Sequence, residues 1–194
     1  MERLAHAITD FLMRREVIPK EEYEIYVYGY AVFLEQIIQV IGFILLGIIT
    51  GNLLHTILFL GVFYLLRSSF GGYHAETSMV CMLVSYGGWG AVMILTEYVC
   101  TYPEIPMALW MLLAFDIGIL AKLGPVAHAN KPLSDAQKCR NKRTGCILLG
   151  VLTLLAFLWR TCVNVGTVYI GTVTFVAVLA ILGRRKEGKK HEEN

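Results

Sequence analysis

Apolar and polar positions fall in long blocks along this chain. Six apolar runs stand out, at Ala31–Thr50, Gly51–Phe70, Met79–Thr96, Ile105–Leu123, Gly145–Trp159 and Val165–Gly183. A helix needs roughly 20 apolar residues to cross a hydrocarbon core, so the shorter runs require tilt or local thinning of the bilayer. Ahead of them, Leu4, Ile8, Phe11 and Leu12 share one helical face, and Arg14 and Arg15 close the segment. That spacing predicts a short amphipathic helix lying on a membrane surface. A helix packed against the rest of the protein is the plainer alternative. Pro19 breaks the chain, and an acidic, tyrosine-rich stretch runs from Lys20 to Tyr30. The predicted fold is all-α: a polytopic membrane protein with about six transmembrane helices plus an N-terminal amphipathic helix. It reads as one integral membrane domain, with a cytoplasmic or interfacial segment over 1–30, a bundle over 31–183 and a basic tail over 184–194.

Composition supports the bilayer as solvent. The chain of 194 residues is 56% hydrophobic and 16% charged, against about 25% charged in an ordinary soluble domain. No polar linker is long enough to separate two domains, and the first residues do not read as a cleavable signal peptide. The formal charge of +2 is small and gives no nucleic-acid partner, but its distribution is uneven. With the N-terminus inside, nearly every Lys and Arg falls in cytoplasmic segments: 1–30, the region around 67–78, the loop 124–144 and the tail. The outer turns hold only Arg160. The positive-inside rule therefore favours both termini in the cytoplasm.

Five cysteines, Cys81, Cys100, Cys139, Cys146 and Cys162, with no CxxC, argue against a disulfide framework or a zinc ribbon. Cys100 and Cys162 both fall at the outer surface, as a disulfide or as two free thiols. Zinc at His128, Cys139 and Cys146 matches no familiar ligand spacing, and neither metal nor cofactor is expected.

The stretch most suggestive of chemistry is Arg67-Ser-Ser-Phe-Gly-Gly-Tyr-His74-Ala-Glu-Thr-Ser-Met-Val-Cys81, at the cytoplasmic junction of spans two and three. Cys and His are the minimum set for thiol nucleophilic catalysis. On one continuous helix, a separation of seven residues would hold His74 and Cys81 about 10.5 Å apart along the axis, too far for a hydrogen bond. Gly71 and Gly72 allow a break, and Thr77 or Ser78 can cap the next helix. Cys81 then sits in a first helical turn, where the positive end of the helix dipole favours the thiolate. His74, folding back, can take the proton, and backbone N–H groups at the helix start can hold an oxyanion. The bland alternative is a His and a Cys close by chance.

The segment Arg67…Gly-Gly-Tyr-His74-Ala…Cys81 resembles the signature of the accessory gene regulator B (AgrB) family, membrane cysteine endopeptidases of Gram-positive quorum sensing. Tyr28-Gly29, the loop Gly124-Pro-Val-Ala-His128-Ala-Asn130-Lys131-Pro132-Leu133 and the six-span layout extend the likeness over most of the chain. The resemblance implies that a small precursor peptide, AgrD-like, is cut on the C-terminal side of the future signal peptide. The acyl group passes to the Cys as a thioester, and an internal thiol or hydroxyl then closes a thiolactone or lactone ring. It places the catalytic pair on His74 and Cys81, with Arg67 and Gly72 as their companions, and implies a site at the cytoplasmic face of the cell membrane.

Supporting residues carry two readings each. Arg67 binds a substrate carboxylate or steadies the site, or simply snorkels. Glu35 in span one and Asp116 in span four are intramembrane carboxylates that either orient His74 or bond neighbouring spans. His128 and Lys131, with Lys138, Arg140, Lys142 and Arg143, form a dock for an acidic peptide tail or a topology signal. Gly87, Gly88 and Gly90 suit close helix packing. The rival function is a small multipass transporter using Glu35, Asp116 and Arg67; a non-catalytic scaffold is the third. A homodimer is left open by the sequence.

Overall fold

The computed structural model describes residues 2–15, 17–71, 78–102, 104–125, 134–159 and 161–192. Its elements are helical: α1 (Glu2–Arg14), a short 3-10 turn (Lys20–Glu22), α2 (Tyr23–Ile49), α3 (Leu53–Phe70), α4 (Ser78–Val99), α5 (Met107–Leu123), α6 (Asp135–Leu158) and α7 (Val163–Glu192). The chain forms two compact units, 1–49 and 50–194.

In the first unit α1 packs on α2. Ala5 and Thr9 are buried, while Leu4 and Phe11 remain exposed. The Tyr23 hydroxyl donates to Asp10 Oδ1 at 2.8 Å and lies 3.0 Å from His6 Nδ1, tying the start of α2 to α1. The tyrosine-rich stretch after Pro19 is thus the beginning of α2.

In the second unit α7 is the central helix, packed against α3, α4 and α5, and α3 also packs on α6. The apolar window of α7 is 67% buried, against 17% for that of α6, so α7 meets protein on most sides. Contact is close because small residues admit large ones. A side chain on Gly88 would overlap the Phe175 ring, and one on Gly171 would sit 3.1 Å from Val92. Gly87 and Gly90 have open space, so only Gly88 of that trio serves packing. Phe175 stacks with Phe63 at 5.6 Å, and Phe63 with Phe59 at 5.5 Å.

Polar bridges add direction. Trp89 Nε1 donates to Thr56 Oγ1 at 3.0 Å between α4 and α3. The Thr174 hydroxyl on α7 donates to Asp116 Oδ2 on α5 at 2.6 Å. Tyr169 and Thr153 hydroxyls meet at 2.7 Å between α7 and α6.

Six apolar helices occupy the six predicted positions, and five are long and apolar enough to cross a membrane. The sixth, α5, has 17 residues, the short end of the spanning range at about 25 Å. Ile37, Ile41, Leu45, Ile94, Phe115, Ile147, Val151 and Leu154 are exposed on these helices. Such a surface would aggregate in water and suits lipid. The backbone closes its hydrogen bonds within each helix, as the hydrocarbon core demands. The protein is an all-α, multi-pass membrane protein.

One boundary departs from expectation. The basic segment 124–144 is not all loop, since α6 begins at Asp135. Ser134 caps it through a capping box: Gln137 N–H donates to Ser134 Oγ at 3.3 Å, and Ser134 N–H donates to Gln137 Oε1 at 3.0 Å. Lys138, Arg140, Lys142 and Arg143 therefore lie on a helical extension. Likewise α7 continues through Arg184 and Arg185 to Glu192, into the predicted tail.

A clamp holds the end of α3. Phe70 is fully buried, with its ring 2.5 Å from where a side chain on Gly124 would begin and 2.8 Å from the corresponding point on Gly145. Gly145→Ala should overpack this contact and cost about 1–3 kcal/mol. Gly150→Ala, on the same helix with open space around it, should be neutral or slightly stabilising. Thermal melting in detergent compares the two; equal melting temperatures would show that the clamp carries no load. Thr174→Val should lower stability by about 1 kcal/mol by leaving Asp116 without its donor, read by the same melts.

Candidate functional site

Two helix ends build the site. Arg67 lies in the last turn of α3, where unsatisfied carbonyls favour a cation. Its guanidinium stands 5.3 Å over the Phe63 ring, a cation–π contact one turn back along the helix. Gly71 terminates α3, with φ 70° and ψ −146° and its N–H bonded to Arg67 O at 2.9 Å. That backbone conformation is strained for any residue with a side chain. The predicted break therefore begins at Gly71.

The next helix, α4, starts at Ser78 and places Cys81 in its first turn, half-buried. The positive end of the α4 dipole lies here and favours an anion. The Arg67 Nη2 donates toward Cys81 Sγ at 3.9 Å. Two side chains 14 residues apart along the chain are thus brought together. Ser85 donates to Cys81 O at 2.9 Å, one turn further on.

Tyr64 adds to the surroundings. It lies one turn before Arg67 on α3, and its ring packs edge-on against Phe63 at 5.6 Å. Its hydroxyl is enclosed and has no hydrogen-bond partner among the described residues. The sequence reading missed Tyr64, although its position three residues before Arg67 puts both on one face of α3. A positive group on the sulfur, the positive end of a helix dipole and a buried hydroxyl suit a thiolate nucleophile and a developing oxyanion.

The other predicted residues divide. Asp116 is buried and its carboxylate is engaged by Thr174, so it bonds α5 to α7. Glu35 is half-buried on α2, in the separate N-terminal unit. His74, Gly72, His128 and Lys131 lie outside the described residues. Cys100 and Cys162 are free and exposed, as are Cys139 and Cys146; Cys81 is also free but half-buried.

Comparison with known proteins adds a family. A Clostridium perfringens (strain SM101 / Type A) protein named "Putative AgrB-like protein" is 25% identical over 164 residues, 81% of this chain and 75% of that protein. A "Putative AgrB-like protein 2" from Clostridium perfringens (strain 13 / Type A) is 26% identical over 142 residues, 71% of this chain and 65% of that protein. No solved structure matches the chain. The model of the family "Accessory gene regulator B" matches residues 5–182, a range that takes in both helix ends of the site and the whole apolar bundle. The chain belongs to the accessory gene regulator B family of the accessory gene regulator quorum-sensing system.

Proposed function

We propose that this chain is a membrane cysteine endopeptidase that processes an AgrD-like precursor peptide, acting as a single membrane peptidase domain. The observation that carries the reading is the placement of Cys81 in the first turn of α4 with the Arg67 guanidinium on its sulfur. Family membership supports the same chemistry.

In this reading His74 takes the thiol proton and Cys81 attacks the carbonyl that precedes the precursor's acidic tail. The tail leaves as an amine, protonated by His74, and the acyl group remains on sulfur as a thioester. A thioester keeps most of the acyl activation, so an internal thiol or hydroxyl of the peptide can close a thiolactone or lactone ring without ATP. Water must be kept from the intermediate, and a nucleophile at the start of an apolar helix sits where water is scarce. Arg67 donates to the sulfur and holds it at the helix start. The exposed basic residues on the extension of α6, with His128 and Lys131 before it, suit the acidic tail. Charge placement along the chain supports a cytoplasmic site in the cell membrane, with both termini inside. The transporter alternative draws little from Asp116, which is occupied between two packed helices.

Purified protein in lipid vesicles, given the precursor peptide, should release the C-terminal tail and show added acyl mass on Cys81. Cys81→Ala and His74→Ala should abolish both while melting like the wild type. Tail release that persists in Cys81→Ala would sink the thioester mechanism. Arg67→Gln should slow cleavage by about 10- to 100-fold, the worth of a charged hydrogen bond, while Arg67→Lys should recover only part of the rate because it lacks the planar fork. A wild-type rate for Arg67→Gln, followed by mass spectrometry, would reduce Arg67 to a snorkelling residue.

A further inference from the structure

Tyr64 presents a buried donor with nothing to donate to among the described residues. Its ring packs edge-on against Phe63 at 5.6 Å, so the aromatic body is held in place. Its hydroxyl oxygen is enclosed and unpartnered among the described residues. A phenol kept in an interior ordinarily finds an acceptor, and exceptions need a cause. The near groups do not supply one: a guanidinium accepts nothing, and the Cys81 sulfur already faces Arg67. Yet Tyr64 precedes Arg67 by three residues on α3, which puts both on one face, and the Arg67 guanidinium reaches the Cys81 sulfur at 3.9 Å, so Tyr64 lies on the face of α3 that meets the proposed nucleophile. An acceptor that arrives with the substrate resolves the vacancy.

We infer that Tyr64 is a further catalytic residue, whose hydroxyl donates a hydrogen bond to the scissile carbonyl oxygen of the precursor as Cys81 attacks. This rests on the peptidase reading given above. The step balances without the hydroxyl losing its proton. A carbon–sulfur bond forms, the carbonyl π pair moves onto oxygen, and the Tyr64 hydroxyl stabilises that oxyanion. When the C=O re-forms, the carbon–nitrogen bond breaks and the amine leaves with the proton that His74 took from the thiol. The same hydroxyl serves the second addition, when the internal nucleophile of the peptide attacks the thioester. Preorganised donors of this kind act strongly because they are already aimed and dry when charge develops.

Tyr64→Phe removes only the unpartnered oxygen and keeps the ring against Phe63, so the fold should hold. The experiment follows kcat and KM for precursor cleavage, and the rate at which iodoacetamide alkylates Cys81, in lipid vesicles with wild type and Tyr64→Phe side by side. Alkylation proceeds through the same sulfur but raises no carbonyl oxyanion. The expected result is a fall in kcat of about 100-fold or more, with KM, alkylation rate and melting temperature unchanged. Cleavage at the wild-type rate would overturn the inference. So would a fall in cleavage matched by an equal fall in alkylation, which would assign the hydroxyl to the thiol instead. Absence of cleavage by a well-folded wild type that still alkylates would remove the peptidase reading, and this inference with it.

Discussion

Helices in lipid gain little by burying apolar surface against one another, because the surrounding tails are equally apolar. Close fit and polar bridges must hold them instead. The bundle over 50–194 answers to that constraint through α7, which α3, α4 and α5 surround. Gly88 takes the Phe175 ring, Gly171 takes Val92 and Gly166 takes Ile105. Each glycine lets two backbones approach where any side chain would hold them apart. The aromatic stack of Phe59, Phe63 and Phe175 fills the space between α3 and α7. Hydroxyl bridges from Thr174 and Tyr169 then set which faces meet.

The same packing positions the chemistry. Phe63 belongs to the aromatic stack on one side and carries the Arg67 guanidinium on the other. Phe70, three residues beyond Arg67, is wedged at Gly124 and Gly145, so the end of α3 has little freedom to slide or rotate. On the other side of the site, α4 is registered by Gly88 against Phe175 and by Trp89 on Thr56. Cys81 lies two turns before that contact. Both partners of the 3.9 Å approach between Arg67 and Cys81 are therefore placed by rigid, close-packed elements, as preorganisation of a site requires.

Much of this was legible in the chain. The six apolar runs anticipate α2 to α7, because length and hydropathy alone decide what a bilayer accepts. The Gly71 break and the position of Cys81 in a first helical turn also follow from local chemistry. Boundaries were less legible where polar residues continue a helix beyond the apolar run. The early start of α6 has a local signal, Ser134 with Gln137 three residues on, which hydropathy ignores. Of the three glycines after Cys81, only Gly88 meets a neighbour, since spacing on one helix does not say which partner faces it.

The sequence by itself determined the solvent, the helices and the candidate nucleophile with its base, because hydropathy, charge placement and short motifs are properties of neighbours along the chain. Only the tertiary structure decided what Arg67, Asp116 and Tyr64 lie against. Arg67 reads along the chain as a substrate ligand or a snorkelling residue, and the structure brings its guanidinium to the Cys81 sulfur. Asp116 became a bond between α5 and α7 through Thr174, a residue 58 positions away. Tyr64 became a candidate only when its hydroxyl proved enclosed and unpaired among the described residues. Each of these roles depends on which helix lies against which, and that is settled by packing between distant segments, which no local pattern records.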